Sequence, residues 1–166
     1  MRESKSADKK TAMVALCVLF AAALVLAGAL FAANVRLTPM DVTGCEAPPE
    51  MLHWEIVKLE GEGTVLVEGW AVEPGSGRIS TSVTALLRDP TSGLYYRVPT
   101  ASRALDELSS GGDGVANDLS LTGEEAARAG FFARGVPFGA SGSGRELYLL
   151  FDDGAHRYLI DTDRSI

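Results

Sequence analysis

Apolar residues change their spacing once along this chain, and the change divides it. From Thr11 to Val35 no residue carries a charge, and apart from Thr11 and Asn34 every one is Ala, Val, Leu, Phe, Met, Cys or Gly. At 1.5 Å rise per residue, about 20 such residues cross a hydrocarbon core of about 30 Å. A single transmembrane helix is therefore expected over 11–35. Arg2, Lys5, Lys9 and Lys10 precede it, whereas Arg36 alone follows it before Asp41, Glu46 and Glu50. Lys and Arg are retained on the cytoplasmic side, which makes 1–10 a cytoplasmic tail and sends the rest of the chain outside. A cleaved signal peptide is the competing reading. Small residues at Ala27-Gly28-Ala29 and Ala32-Ala33 offer cleavage sites, although the run is longer than the about 7–15 residues of an h-region.

Past the span the pattern becomes short runs of strand-forming residues bounded by Gly, Pro, Asp and Ser. Segment 36–52, with Pro39, Pro48 and Pro49 and no apolar period, is expected as a linker that stands off the membrane as a stalk. The domain is then expected over 53–166. Strands are predicted at His53–Leu59, Thr64–Glu73, Ile79–Arg88, Leu94–Val98, Phe131–Phe138, Glu146–Phe151 and Arg157–Ile160. Ile79, Thr81, Val83, Ala85 and Leu87 fall on one face at period two, and a hairpin is predicted from that strand into Leu94–Val98. Asp153-Gly154 marks a second hairpin between the last two strands. One stretch favours helix. In 122–129, Thr122 stands three residues before Glu125 as a capping box, and Gly130 occupies the stop position. Ser109 to Gly114 reads as a loop. About seven strands with this spacing predict an all-β, antiparallel two-sheet sandwich with one short helix.

Charge narrows the partners. Residues 37–166 hold 20 Asp and Glu against 10 Lys and Arg, so an acidic exported part hangs from a basic tail. Such a surface argues against nucleic acid or an anionic lipid face, since both need clustered cations. Cys17 lies in the apolar run and Cys45 beyond it, so they do not pair within one chain, and Cys45 is a candidate for an intermolecular disulfide. Chemistry is sparse. The two His, His53 and His156, stand at predicted strand ends, and no G-x-S-x-G elbow, zinc ligand set or phosphate-binding glycine loop occurs. No catalytic residue, cofactor or metal is expected. Three carboxylate groups, at Asp113 with Asn117 and Asp118, at Asp152 with Asp153, and at Asp161 with Asp163, read as turn residues, and none matches an EF-hand loop.

Aromatic residues offer a binding surface instead. Trp70, in the strongest strand, is expected in the sandwich core. In Leu94-Tyr95-Tyr96-Arg97, alternation puts Tyr95 on the same face as Arg97. Tyr95 and Arg97 are the candidate binding residues, Tyr95 as the exposed ring.

The order of Val65-Leu66-Val67-Glu68-Gly69-Trp70-Ala71-Val72, Tyr95-Tyr96-Arg97-Val98-Pro99, Arg103, Gly130-Phe131-Phe132-Ala133 and the closing hairpin Leu147–Phe151 and Tyr158–Ile160 carries a likeness. It resembles small immunoglobulin-like β-sandwich domains of bacterial cell-surface glycan-assembly proteins, over about 53–161. The resemblance implies an immunoglobulin-like sandwich and a glycan or envelope-protein partner, and it transfers no catalytic residues. Two functional classes stand open: a single-pass, membrane-anchored, non-enzymatic module that binds or scaffolds a cell-envelope partner, and an exported hydrolase without a recognisable motif. Pairing of the helix through small residues such as Ala23, Ala27 and Gly28 is a third option.

Overall fold

The computed structural model describes residues 3–61, 63–76, 81–109, 112–136 and 144–166, and of these the side chains of 3–12, 34, 112 and 113 are not described. The predicted strand starting at Ile79, the end of the strand running to Phe138 and the glycine-rich stretch from Gly139 lie wholly or partly outside the described residues. Two compact units divide the chain, 1–34 and 35–166.

The first unit is built of helix α1 (Glu3–Val35), whose last residue, Val35, belongs to the second unit. Its stretch Met13–Ala33 is 21 residues long, apolar and exposed, and it passes the length and composition test that membrane anchors and signal sequences both pass.

The second unit is mostly β. Its elements in chain order are β1 (Thr38–Met40), β2 (His53–Glu60), β3 (Val65–Val72), β4 (Ser82–Arg88), β5 (Tyr95–Arg97), β6 (Thr100–Arg103), a 3₁₀ turn (Leu105–Glu107), α2 (Gly112–Asp118), α3 (Gly123–Ala129), β7 (Gly130–Gly135), β8 (Glu146–Asp152) and β9 (Arg157–Ser165). They form two antiparallel sheets, one of five strands in the order β1-β5-β4-β8-β9 and one of four in the order β2-β3-β7-β6. Among the described residues the count is nine strands rather than about seven. The two extra ones, β1 and β6, have three and four residues and no apolar alternation. They are strands because each finds an edge to pair with, β1 on β5 and β6 on β7.

Alternation builds the core between the sheets. Val65, Val67 and Ala71 of β3 and Phe131 and Ala133 of β7 meet Ala85 and Leu87 of β4, Leu147, Leu149 and Phe151 of β8, and Ile160 of β9. Each large side chain buried here contributes about 1.5–3 kcal/mol. The chain crosses between sheets from β5 to β6. Val98 N–H donates to the Ala85 carbonyl at 2.9 Å, and the Thr100 hydroxyl accepts from Ala85 N–H at 3.2 Å.

The outer face of the four-stranded sheet has a second apolar cluster, and Trp70 belongs to it. Trp70 and Val72 are buried with Leu105, Leu108 and Ala129 of the helical connection. The expectation that Trp70 fills the core between the sheets is therefore corrected. Its neighbours Gly69 and Ala71 alternate inward, so the indole points outward, and the segment 105–129 covers it. Within that segment α2 replaces part of the loop expected over 109–114. Glu68, on the same outer face and only 5% exposed, accepts from Ser109 N–H at 2.8 Å and the Ser109 hydroxyl at 2.7 Å, so its charge is buried with hydrogen bonds. α3 carries the predicted capping box: the Thr122 hydroxyl accepts from Glu125 N–H, and the Glu125 carboxylate accepts from Thr122 N–H at 2.8 Å. Gly130 ends the helix in an extended conformation, φ −80°, and opens β7. It is glycine for room, since a Cβ would stand 2.9 Å from the Arg103 carbonyl oxygen of β6.

Segment 36–52, read as a linker, packs into the β-unit. Leu37 and Leu52 join the core between the sheets, and β1 pairs with β5. Val136 N–H donates to the Val35 carbonyl at 2.8 Å, and Glu46 hydrogen-bonds along β9 through Arg157 and Leu159. Pro39 is tolerated because an edge strand leaves one side without ladder bonds. The compact β-unit therefore begins at Val35 and not at 53.

Candidate functional site

Alternation along β4, β5 and β8 puts a polar and aromatic set on the outer face of the five-stranded sheet. In one cross-strand row Met40, Tyr95, Arg88 and Glu146 stand side by side, and in the next Thr38, Arg97, Leu86, Tyr148 and Asp161. Tyr96 points the other way and packs on the core between the sheets. Tyr95 meets Tyr148 edge to face, with ring centroids 5.2 Å apart and planes at 78°. Such a contact contributes about 0.5–1.5 kcal/mol beyond area burial. The Tyr148 hydroxyl donates to Asp161 at 3.0 Å, and Arg88 pairs with Glu146 at 2.7 Å. Leu86, between Arg97 and Tyr148 in its row, is fully buried although it faces outward. The result is a fixed patch of two rings, one hydroxyl–carboxylate bond and one ion pair, beside an exposed Arg97. Tyr95 itself is half-buried rather than exposed, because Tyr148 from β8 covers part of its ring. Tyr148 is the member of the patch that the one-strand reading missed, since only the β4–β5 and β4–β8 pairings bring it to Tyr95.

Burial, and then the hydrogen bond to Asp161, push the Tyr148 phenol up to about 12. The folded state thus keeps a proton that an unfolded tyrosine, near 10, gives up. The stabilisation is complete below pH about 10 and is lost as pH rises through about 12. A phenolate absorbance titration of the folded protein is expected to contain a step near 12 that disappears in Tyr148→Phe. A titration unchanged by that substitution would contradict the assignment.

The remaining candidates are set in turns. His156 Nδ1 stands 3.6 Å from Asp153 Oδ2, and its ring stacks on Tyr158 with centroids 5.9 Å apart. Asp153 is engaged in shaping the β8–β9 hairpin, where it accepts from Ala155 N–H at 2.8 Å and His156 N–H at 2.7 Å. His53 starts β2 opposite Val72, on the other sheet. Asp152 accepts from Gly154 N–H, and Asp161 accepts from Asp163 N–H as well as from Tyr148. The side chain of Asp113 lies outside the described residues. Among the described residues no group of three His, Cys, Asp or Glu could hold a metal ion. Cys17 and Cys45 are both free thiols, the second half-buried.

A cavity of about 360 Å³ lies between the turn after β3 and helix α3, lined by Val72, Glu73, Thr122, Glu124, Glu125 and Arg128 among others. Glu125 ties its walls together, since beyond the capping box its carboxylate accepts from Gly75 N–H at 3.0 Å. These bonds, those from Thr122 first, hold the Glu125 carboxyl below the usual carboxylate range. Glu124 is engaged with Arg128 at 3.2 Å. Set against protein-family models, curated proteins and solved structures, the chain matches none, so the chemistry of this surface is read from its own geometry.

Proposed function

We propose that this chain is a single-pass membrane protein whose β-unit works on the extracytoplasmic side as a non-enzymatic module that binds or scaffolds a cell-envelope partner. The orientation rests on the basic residues before the apolar run and the acidic chain after it. One observation carries the reading. The apolar stretch ends at Ala33, and Val35 is already buried in the β-unit with its carbonyl bonded to Val136. Two residues reach about 7 Å, so a β-unit joined this closely to an anchored helix finds its partner at the membrane surface. The binding face is the patch around Tyr95 and Arg97, where a half-buried ring and an exposed guanidinium adjoin. For the identity of the partner, the resemblance to immunoglobulin-like domains of glycan-assembly proteins points to a surface glycan or to an enzyme that assembles one. The two strands that carry the likeness, β3 with Gly69-Trp70-Ala71 and β7 with Gly130–Ala133, are hydrogen-bonded neighbours.

The test uses the full chain in lipid nanodiscs on a glycan array, together with its affinity capture from native membranes. Binding to a glycan, or recovery of glycan-assembly proteins, is expected. Tyr95→Ala and Arg97→Ala are each expected to weaken that binding by about tenfold or more, the loss typical of a residue central to an interface. Binding unaltered by both substitutions, or capture without a specific envelope partner, would sink the reading. The exported hydrolase has one observation in its favour, the approach of His156 to Asp153, and hydrolysis that is lost in His156→Ala would favour it instead.

A further inference from the structure

We infer that, while no partner occupies Arg97, Arg36, Arg97 and Arg134 form a cationic collar that rests on the phosphate headgroups of an anionic bilayer, a docking surface that depends on the anchor reading above. Acidic residues outnumber basic ones two to one over 37–166, and most described cations are engaged within the unit. Arg88, Arg128 and Lys58 pair with Glu146, Glu124 and Glu60. Arg157 donates to the Asp41 carbonyl, Arg103 covers the Phe132 ring, and Arg145 is buried beside Tyr96. Arg36, Arg97 and Arg134 are exposed, and among the described residues no ion pair involves them. Arg164, also exposed and outside those pairs, lies on β9 at the opposite edge of the five-stranded sheet.

The three meet where the chain enters the β-unit. Arg36 bridges to Val136, two residues beyond Arg134. Thr38, two residues beyond Arg36, is the cross-strand partner of Arg97. With about 5 Å between paired strands and about 3.3 Å per residue, Arg97 and Arg134 each lie about 8 Å from Arg36 along the backbone. That spacing is within the Debye length of about 8–10 Å at physiological salt, so Arg36 shares a local positive field with each of the other two. Glu60, which lines a shallow depression together with Arg134, is held by Lys58 at 3.0 Å. Like charges gathered at one corner of an acidic unit repel one another unless an outside counter-charge faces them. This corner begins two residues after the apolar stretch ends, where headgroup phosphates supply that charge. Each arginine near an anionic surface contributes about fivefold to the docking equilibrium.

A nitroxide on Thr38→Cys, in a Cys17→Ser, Cys45→Ser background, reports the corner directly. The full-length protein is placed in nanodiscs of phosphatidylcholine alone or of phosphatidylcholine mixed with phosphatidylglycerol. Collisions with a water-soluble nickel relaxant are expected to fall in the anionic discs. The fall is expected to vanish when Arg36, Arg97 and Arg134 are all changed to Gln, and to shrink at high salt. Equal accessibility in the two lipids, or a lipid effect that survives the triple substitution, overturns the collar. Carbonate washing of native membranes separates the two claims. Release of the intact chain overturns the anchor and the collar together, whereas retention with lipid-independent accessibility overturns the collar alone.

Discussion

Phe131→Ala is expected to lower the stability of the β-unit by about 3–5 kcal/mol, the range for removing a fully buried aromatic ring. Phe131 is 1% exposed and sits on β7 in the core between the sheets. Its strand is flanked on one side by β3 and on the other by β6, so the backbone has little freedom to close the void. That loss is a large share of the about 5–15 kcal/mol that holds a typical domain together. Urea unfolding followed by tryptophan fluorescence gives the measurement. A midpoint within error of the wild type would show that the core between the sheets does not depend on this ring.

The second large effect comes from the opposite error, too much volume at the same contact. Gly69 pairs with Phe131 across β3 and β7 and with Ile56 across β2 and β3. A Cβ there would run into the Glu55 carbonyl oxygen and stand 3.0 Å from the tip of the Phe131 ring. The ring can turn aside, whereas the carbonyl belongs to the β2 backbone next to the irregularity at Ile56–Lys58. Gly69→Ala is therefore expected to cost about 3 kcal/mol, at the upper end for overpacking, and Gly69→Val more. The same urea titration measures it. Residues in contact do not act independently: the double variant Gly69→Ala, Phe131→Ala should lose less than the sum of the single losses, because the methyl enters space the ring vacated. It should not return to the Phe131→Ala value, because the Glu55 carbonyl still stands in the way. Strict additivity would mean that the glycine is not required by this contact.

These two residues also mark how far the chain could be read in advance. Gly69 and Phe131 stood in strands predicted from β-type runs, and the strands at 53–60, 65–72, 82–88, 95–97, 146–152 and 157–165 occur where such runs occur. The capping box at Thr122 and Glu125 and the Asp153-Gly154 hairpin were equally visible, since each is closed by residues two or three positions apart. What stayed hidden depended on distant partners. β1 and β6 are too short and too polar to show a period, and Leu37 looked like part of a stalk until the core received it. Trp70 shows the limit of burial without direction: an apolar residue in a strong strand is expected inside, but which side of a sheet is inside depends on what covers each face. Here both faces are covered, one by the other sheet and one by 105–129.

The candidate site divides the same way. Alternation within β5 was enough to put Tyr95 and Arg97 on one face and Tyr96 on the other. The contact of Tyr95 with Tyr148, the bond from Tyr148 to Asp161 and the gathering of Arg36 and Arg134 near Arg97 join residues far apart in the chain.

By itself the sequence determined the apolar helix, the acidic balance of the chain beyond it, the mostly β character and the main turns, because length, charge and short-range periodicity are properties of neighbouring residues. The tertiary structure alone decided that the segment after the helix is part of the β-unit, that Trp70 lies beneath the helical connection, and which residues share a surface with Arg97. Those outcomes depend on strand pairing and on which apolar faces meet, and no local pattern of residues encodes them.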